Sequence, residues 1–248
     1  MLELKSINLW FGANHVLRDL NCEVSKGDFI VILGTNGAGK SSFFDTIAGK
    51  IKPQTGEIIL NNLNVTKLSQ QNRAGMITRI FQNTRLNSAG NLTVAQNLAL
   101  AHYSRRNAKL VDGMAGMPRK HAEQILNQLN IDLKLLDRPM QQLSGGQRQL
   151  IAFAMSTQKI PQILLLDEPT AALDPQAATK LLQHACSFIK KNQVTTLLIT
   201  HDPQIALSLG NKIWILENGQ ISRTYTLADK PNLDPDKLIG QIDYAKLT

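Results

Sequence analysis

The sequence of 248 residues has little cysteine and no long apolar run, and each shortage excludes a class of protein. Its two cysteines, Cys22 and Cys186, lie far apart without the spacing of a metal site, so we expect neither a disulfide framework nor a zinc centre, and a reducing compartment fits. No apolar run approaches the roughly 18 residues that a membrane-spanning helix needs. The N-terminus carries Glu3 and no apolar signal region, which argues against secretion.

The net charge of +8 is compatible with three kinds of surroundings: nucleic acid, an anionic membrane face, or no specific partner. Most Lys and Arg residues are scattered along the chain, but residues 103–124 concentrate them. We interpret this segment first as a solvated loop, and contact with a partner or with lipid headgroups is the alternative.

The apolar pattern predicts an α/β fold with a mainly parallel sheet. Residues 162–169 and 194–202 are continuous apolar runs without alternation, which indicates strands buried on both faces. Residues 27–33 form another strand-like run. Residues 212–221 are typical of a late hairpin, with Asn218-Gly219 as its turn.

Helical periodicity marks the middle of the chain. Three segments between residues 91 and 158 repeat apolar residues at i, i+3 and i+4, the spacing of an amphipathic helix. We therefore predict one domain in which an α/β core lobe (1–82 and 159–248) is interrupted by a helical subdomain (83–158). The tail, 233–242, is predicted to be a short helix.

A phosphate-binding loop stands between the predicted strand 27–33 and the predicted helix 43–49. The stretch "GTNGAGKS" matches G-x-x-x-x-G-K-[ST], and its glycines let backbone N–H groups turn towards phosphate oxygens at a helix start. Lys40 supplies a cation for the β- and γ-phosphates, Ser41 a hydroxyl for Mg²⁺, and Ser42 a hydroxyl for the α-phosphate. The candidate nucleotide-binding residues here are Gly34, Thr35, Asn36, Gly37, Ala38, Gly39, Lys40, Ser41 and Ser42.

Polar residues also end three other apolar runs, and in a parallel sheet the carboxyl ends of strands face one crevice. Asp167 is expected to hold Mg²⁺, directly or through water, and Glu168 to take a proton from an attacking water. Gln82 can orient that water or complete the Mg²⁺ shell, and His201 can donate to the γ-phosphate. Together these side chains are typical of phosphoryl transfer without a covalent step.

A second anion cradle lies about a hundred residues further along the chain. In "QQLSGGQRQL", a serine and two glycines precede a run that is predicted to be helical, and the candidate residues are Ser144, Gly145, Gly146 and Gln147. This cradle has neither a metal ligand nor a base beside it in the sequence. The chain therefore presents two phosphate sites, of which the second is incomplete.

The motifs resemble those of the ATP-binding subunit of ABC transporters over essentially the full length of the chain. They stand in the family's order, which is Walker A "GTNGAGKSS", the Q-loop residue Gln82, the signature "LSGGQ", Walker B "ILLLDEP", the D-loop "AALD" and the switch residue His201. This resemblance implies a P-loop NTPase core with a mainly parallel sheet, an N-terminal antiparallel β part and an inserted α-helical subdomain. It also implies ATP and Mg²⁺ as cofactors and ATP hydrolysis as the activity.

The resemblance suggests why the second cradle is incomplete. In this family the signature of one subunit closes on the ATP held by the Walker A loop of another, so a two-fold homodimer builds two composite sites. The facing subunit then brings the metal ligand and the base. The resemblance places Asp174 at the dimer seam and an aromatic ring on the adenine. Phe11 before Gly12 fits that ring best, with Trp10 as an alternative and a core position for either ring as another.

An ATP-hydrolysing subunit of this kind implies membrane partners. The resemblance implies separate permease subunits that dock near residues 82–92, and a place at the cytoplasmic face of the cell membrane. The sequence is most similar to bacterial import systems, some linked to aromatic amino acids, so an extracytoplasmic solute-binding protein is expected and nucleic acid is not. The alternatives are an exporter or lipid-handling system, and a non-transport ATPase of the same family acting on ribosomes or DNA.

Overall fold

The structure, a computed structural model, describes residues 1–81, 88–102, 119–171, 173–236 and 238. The strands are β1 (Leu2–Phe11), β2 (Asn14–Val24), β3 (Phe29–Leu33), β4 (Thr55–Leu60), β5 (Leu63–Asn64), β6 (Ile77–Ile80), β7 (Ile163–Asp167), β8 (Thr195–Ile199), β9 (Lys212–Glu217) and β10 (Gln220–Thr226). The helices are α1 (Lys40–Ala48), α2 (Gln70–Arg73), α3 (Val94–His102), α4 (Arg119–Gln128), α5 (Gly145–Thr157), α6 (Pro175–Asn192) and α7 (Pro203–Ser208). None of the helices in these ranges is long and apolar enough to cross a bilayer.

The chain forms two compact units, and the first contains two sheets. One is antiparallel, in the order β2-β1-β4-β5, and the other has the order β10-β9-β3-β8-β7-β6. In the second sheet, β9, β3, β8 and β7 pair in parallel, and their apolar runs are buried on both faces, as is usual for parallel strands. The predicted fold class, a mainly parallel sheet with an antiparallel β part, is therefore confirmed.

The core of the first unit lies around α1 and buries side chains from both sheets. Phe43 and Phe44 on α1 are fully buried, and burial of each stabilises the fold by about 1.5–3 kcal/mol. The helix begins at Lys40, three residues before the predicted start, because Gly39 adopts the left-handed conformation (φ 99°) that leads directly into it. The first turn of the helix is thus part of the phosphate-binding motif.

A buried arginine closes the other end of α1. The guanidinium of Arg73 donates to the carbonyl oxygens of Thr46 (2.8 Å) and Ile47 (2.7 Å) at the helix end, and to that of Thr66 (3.0 Å). A positive charge at a helix C-terminus is favourable, although burial lowers the pKa of Arg73 to about 10. Position 49 favours glycine, because its φ is 77° and a Cβ there would lie 2.8 Å from Nε of Arg73.

The second unit comprises residues 80–160 and 169–192. Helix α5 packs against α3 and α6, and the rings of Phe153 and Phe188 meet edge to face at 5.9 Å. Helix α6 therefore belongs with the helical unit, whereas the predicted subdomain ended at residue 158. Of the predicted tail helix (233–242), residues 233–236 and 238 are described, and Pro235, Asp236 and Leu238 among them are helical. The predicted hairpin is observed as β9 and β10, with Asn218 and Gly219 at positive φ in its turn.

A buried carboxylate fastens the start of β3. Asp28 accepts hydrogen bonds from Nζ of Lys212 (2.8 Å), Nδ2 of Asn211 (2.9 Å) and the backbone N–H of Ser25 (2.8 Å). Burial alone would raise the pKa of Asp28, but these hydrogen bonds outweigh it and hold the pKa below its ordinary value. The network joins β3 to the beginning of β9.

We expect Asp28→Asn to lower the free energy of unfolding by about 3 kcal/mol at pH 7, since it leaves Lys212 without its counter-charge. The pKa of Asp28 is lowered by folding, so its contribution is complete above about pH 4 and is lost as the pH falls through the folded-state value. Urea titrations at several pH values measure the difference. Glu3→Gln, at an exposed pair with Lys5, is the control and should change little. An equal destabilisation by Asp28→Asn at pH 3 and pH 7 would contradict this role.

Candidate functional site

The predicted phosphate loop connects β3 to α1 in the first unit. Gly37 (φ 87°) and Gly39 (φ 99°) take backbone conformations that favour glycine. Gly34 lies so close to β9 that a Cβ would be 2.3 Å from the carbonyl oxygen of Leu216. The loop's shape thus requires glycine at these three places, and the helix start that follows suits a phosphate group.

The hairpin turn after β9 is hydrogen-bonded to this loop. The backbone N–H of Gly219 donates to the carbonyl oxygen of Ala38 (3.1 Å), and the N–H of Arg18 donates to the carbonyl oxygen of Gly219 (3.1 Å). The packing is close, because a Cβ on Gly219 would lie 2.2 Å from the carbonyl oxygen of Val16. Strand β2 and the late hairpin therefore hold the phosphate loop between them.

Lys40 is buried at the first position of α1. Its Nζ donates to the carbonyl oxygens of Gly34 and, at 3.0 Å, of Thr35, so the ammonium group lies inside the curve of the loop. Burial lowers the pKa of Lys40, whereas the nearby carboxylates of Glu168 and Asp167 act to raise it. The buried ammonium group of Lys40 therefore lies near the carboxylates of Asp167 and Glu168 in the first unit.

The sheet register brings the strand-end residues to the same edge. Asp167 at the end of β7 lies opposite Ile199 of β8, and Ile199 lies opposite Ile32 of β3. Glu168 follows at φ 44°, and its N–H donates to the carbonyl oxygen of Ile199 (3.0 Å). Nδ1 of the exposed His201 is 3.6 Å from Oε2 of Glu168. The structure thus gathers Lys40, Asp167, Glu168 and His201 in one unit.

Two charged residues that we did not predict, Arg79 and Asp45, form ion pairs beside Asp167. Arg79 on β6 forms ion pairs with Asp45 of α1 and with Asp167, whose Oδ2 is 2.6 Å from Nη2. The sequence signal was a single arginine inside the strand-like run "MITRIFQ". That signal was weak because an arginine in a strand is more often exposed than buried. Gln82, three residues further on, lies outside the described residues.

The signature residues lie in the second unit at the start of α5. Oγ of Ser144 accepts from the N–H of Gln147 (3.2 Å), and Oε1 of Gln147 accepts from the N–H of Ser144 (3.1 Å), which is a capping box. A Cβ on Gly146 would lie 2.5 Å from Cβ of Ala177, so glycine lets α5 approach α6 closely. Asp174 caps α6, because its Oδ1 accepts from the N–H of Ala177 (2.9 Å). Gly145 is the first residue of α5.

The two aromatic candidates at the end of β1 differ in their surroundings. The ring of Trp10 stacks on that of His15, with 4.1 Å between centroids and 15° between planes. Phe11 is 50% exposed. An exposed ring is better placed than a stacked one to take a new partner, so this difference favours Phe11 for the adenine contact.

The backbone of Glu168 carries strain that can be measured. A non-glycine residue in the left-handed region costs about 1–2 kcal/mol. Glycine removes that cost but loses more freedom on folding, by roughly 0.5–1 kcal/mol. We therefore expect Glu168→Gly to leave the thermal unfolding midpoint unchanged or slightly raised. Glu123→Gly, inside α4, is the control and should lower stability by about 1 kcal/mol. Equal losses in both variants would show that Glu168 is unstrained.

Comparison with known proteins identifies the family of this chain. Residues 17–171 match the ABC transporter family. The chain is 32% identical over 253 residues to the tyrosine transport ATP-binding protein of Clostridioides difficile (strain R20291), with 99% of this chain and 100% of that protein covered. It is 34% identical over 231 residues to the probable sulfate/thiosulfate import ATP-binding protein CysA of Chlorella vulgaris, with 92% and 93% covered.

A solved structure of an ATP-binding cassette, a dimer in a post-hydrolysis state bound to ADP and Pi, superposes with a TM-score of 0.78 at 28% identity. The alignment covers 92% of this chain and 99% of that one. Family, full-length relatives and fold agree, so the resemblance found in the motifs is confirmed. This chain belongs to the ABC transporter family, as one of its ATP-binding, ATP-hydrolysing cassettes.

Proposed function

We propose that the chain is the ATPase subunit of an importer, in which two copies pair head to tail around Mg-ATP and drive solute through separate permease subunits. The observation that carries this proposal is the division of groups between the two units. The first unit holds the buried Lys40 and the carboxylates of Asp167 and Glu168. The second holds a capped helix start at Ser144, which suits an anion.

In the proposed site, each residue acts on the phosphates or on the attacking water. Lys40 shifts from its loop carbonyls to the β- and γ-phosphates, and the backbone N–H groups of the loop bind their oxygens. Glu168 accepts a proton from the attacking water, and His201 donates to the γ-phosphate while lying 3.6 Å from Glu168. Gln82 is proposed to orient the water, and Phe11 to stack on the adenine.

The donor set of the site fits magnesium. The hydroxyl of Ser41 in the first turn of α1 and the carboxylate of Asp167 are oxygen ligands of the kind that Mg²⁺ prefers, and phosphate oxygens commonly complete its shell. Once bound, magnesium supplies charge neutralisation at the β- and γ-phosphates. Ser41, Asp167 and Gln82 are the residues that we propose to hold it.

Ser144 can meet the phosphate of the facing subunit without giving up its cap. Its Oγ accepts a hydrogen bond from the N–H of Gln147, and the hydroxyl proton is still available to donate. A serine N-cap therefore serves its own helix as acceptor and the γ-phosphate as donor. Gly145, Gly146 and Gln147 add the helix start, and Asp174 is proposed to lie at the seam between the copies.

The solute and the membrane partners are proposed from the relatives. The relative that aligns over its whole length carries a name for tyrosine transport, which supports amino-acid-like solutes. The sulfate/thiosulfate relative is similar to a comparable degree, at 34% identity against 32%, so we propose that other subunits recognise the solute. We propose that permease subunits hold the chain at the cytoplasmic face of the membrane, and that an extracytoplasmic binding protein delivers the solute.

The Glu168→Gln variant tests the role of the base. Glutamine keeps the size of the side chain but cannot accept the proton, so turnover should fall at least about 100-fold, the usual contribution of a general base. ATP binding should persist, and the stalled variant should become dimeric in Mg-ATP. Phosphate release and sedimentation velocity measure the two effects. Unchanged turnover would refute the base, and a monomer in saturating Mg-ATP would refute the sandwich.

Mixing two defective variants tests whether each site is shared between copies. Ser144→Asp retains a good N-cap, so its stability should match that of the native chain, but its carboxylate repels the γ-phosphate. Lys40→Ala removes the cation of the other half. Each variant alone should be inactive. A mixed dimer contains one site with both native halves, so the mixture should regain single-turnover hydrolysis. No recovery in the mixture would contradict the shared site.

A further inference from the structure

Arg79 joins the phosphate-loop helix to the end of β7 through a buried bridge of charges. Its side chain is 7% exposed, and those of its partners Asp45 and Asp167 are 13% and 14% exposed. Nη1 faces Asp45 on α1, and Nη2 lies 2.6 Å from Oδ2 of Asp167. The guanidinium carbon also lies 5.8 Å from the ring centroid of Phe44, which follows Phe43 in the core. The guanidinium group of Arg79 thus contacts Asp45, Asp167 and the ring of Phe44.

The chemistry of this bridge requires arginine. A guanidinium presents several donors in a rigid plane, so one group can serve two carboxylates at once. A lysine ammonium is a point charge that would have to choose between them. Burial makes the arrangement costly unless every charge is paired, and removing one partner of a buried pair typically costs about 3–5 kcal/mol.

The bridge occupies one oxygen of the carboxylate that we propose to hold magnesium. With Oδ2 bonded to Arg79, the torsion of the Asp167 carboxyl group is restricted, and Oδ1 can serve another ligand. The anchor for this torsion is Asp45, which lies on the same helix as Ser41, the other proposed oxygen ligand. The two proposed ligands are therefore connected through Asp45 and Arg79.

We propose that Arg79 is a positioning residue: it would hold the carboxylate of Asp167 so that its other oxygen can serve the metal, directly or through water, and it fixes the distance of this carboxylate from α1. Groups that hydrogen-bond a metal ligand usually matter in this way, and their loss costs about 10- to 100-fold in metal affinity or activity. The proposal rests on the assignment of Asp167 to the metal. It adds that the affinity for the metal depends on a residue that acts through Asp167.

The test uses the full chain carrying Glu168→Gln, so that hydrolysis does not consume the nucleotide. Mn²⁺ is titrated into equimolar protein and ATP, and the bound ion is followed by electron paramagnetic resonance. Arg79→Met should raise the dissociation constant of Mn²⁺ about tenfold. Asp45→Asn should raise it less, because Arg79 then keeps Asp167 but loses its anchor. Arg79→Lys should not restore the native value.

Two measurements separate positioning from a structural defect. ATP affinity without metal should stay within about twofold in all these variants, because the phosphate loop keeps its own contacts, whereas a distorted fold would weaken it as well. Lys50→Met is the matched control, since Lys50 is the exposed cation that pairs with Asp45 at 3.3 Å, and it should leave Mn²⁺ affinity unchanged. If Arg79→Met fails to fold, Asp45→Asn carries the same comparison.

An unchanged or tighter Mn²⁺ dissociation constant in Arg79→Met, or in Asp45→Asn if that variant carries the comparison, would overturn the proposal. Asp167→Asn is measured alongside to tell two failures apart. If Asp167→Asn weakens Mn²⁺ binding and the bridge variants do not, the positioning role fails while the metal site stands. If Asp167→Asn also has no effect, Asp167 does not hold the metal, and the proposed function must be revised with it.

Discussion

The parallel register of three strands is the constraint on which the site depends. Ile32 of β3 and Asp167 of β7 both lie opposite Ile199 of β8, so the carboxyl ends of the three strands are aligned at one edge of the sheet. Side chains alternate between the faces of a strand, and a slip by one residue would turn Asp167 to the opposite face. The strands are buried on both sides, so the charges at their ends depend on the packing of the apolar core for their positions.

The buried charged residues lie in the first unit, and the helix start that is the candidate second anion site lies in the second unit. This division suits the different desolvation costs of full and partial charges. The first unit can bury Lys40 and Arg79 because carboxylates and backbone carbonyls surround them. The second unit contributes at Ser144 a helix start, which is a partial charge and needs no buried counter-ion. A partial charge costs little desolvation, so in the proposed dimer such a surface can be uncovered and covered repeatedly.

Sequence motifs located most of the candidate site. The residues that the motifs missed are placed by ion pairs between distant parts of the chain. The loop at Gly34 and the residues after the apolar runs could be placed because local sequence determines turns and strand ends. Arg79 could not, since its partners Asp45 and Asp167 lie 34 and 88 residues away in the chain. The assignment of α6 to the helical unit likewise depends on packing between side chains, such as Phe153 with Phe188, which no local pattern encodes.

The support of the phosphate loop by Gly219 has a consequence for biosynthesis. Strand β3 emerges from the ribosome long before its neighbours in the sheet, β8 and β9, and before the turn that bonds to Ala38. Domains generally fold as units during synthesis. A nascent chain therefore carries the loop sequence long before it has the surroundings that shape it, and the loop can take its folded form only after β8, β9 and the turn at Gly219 have been made.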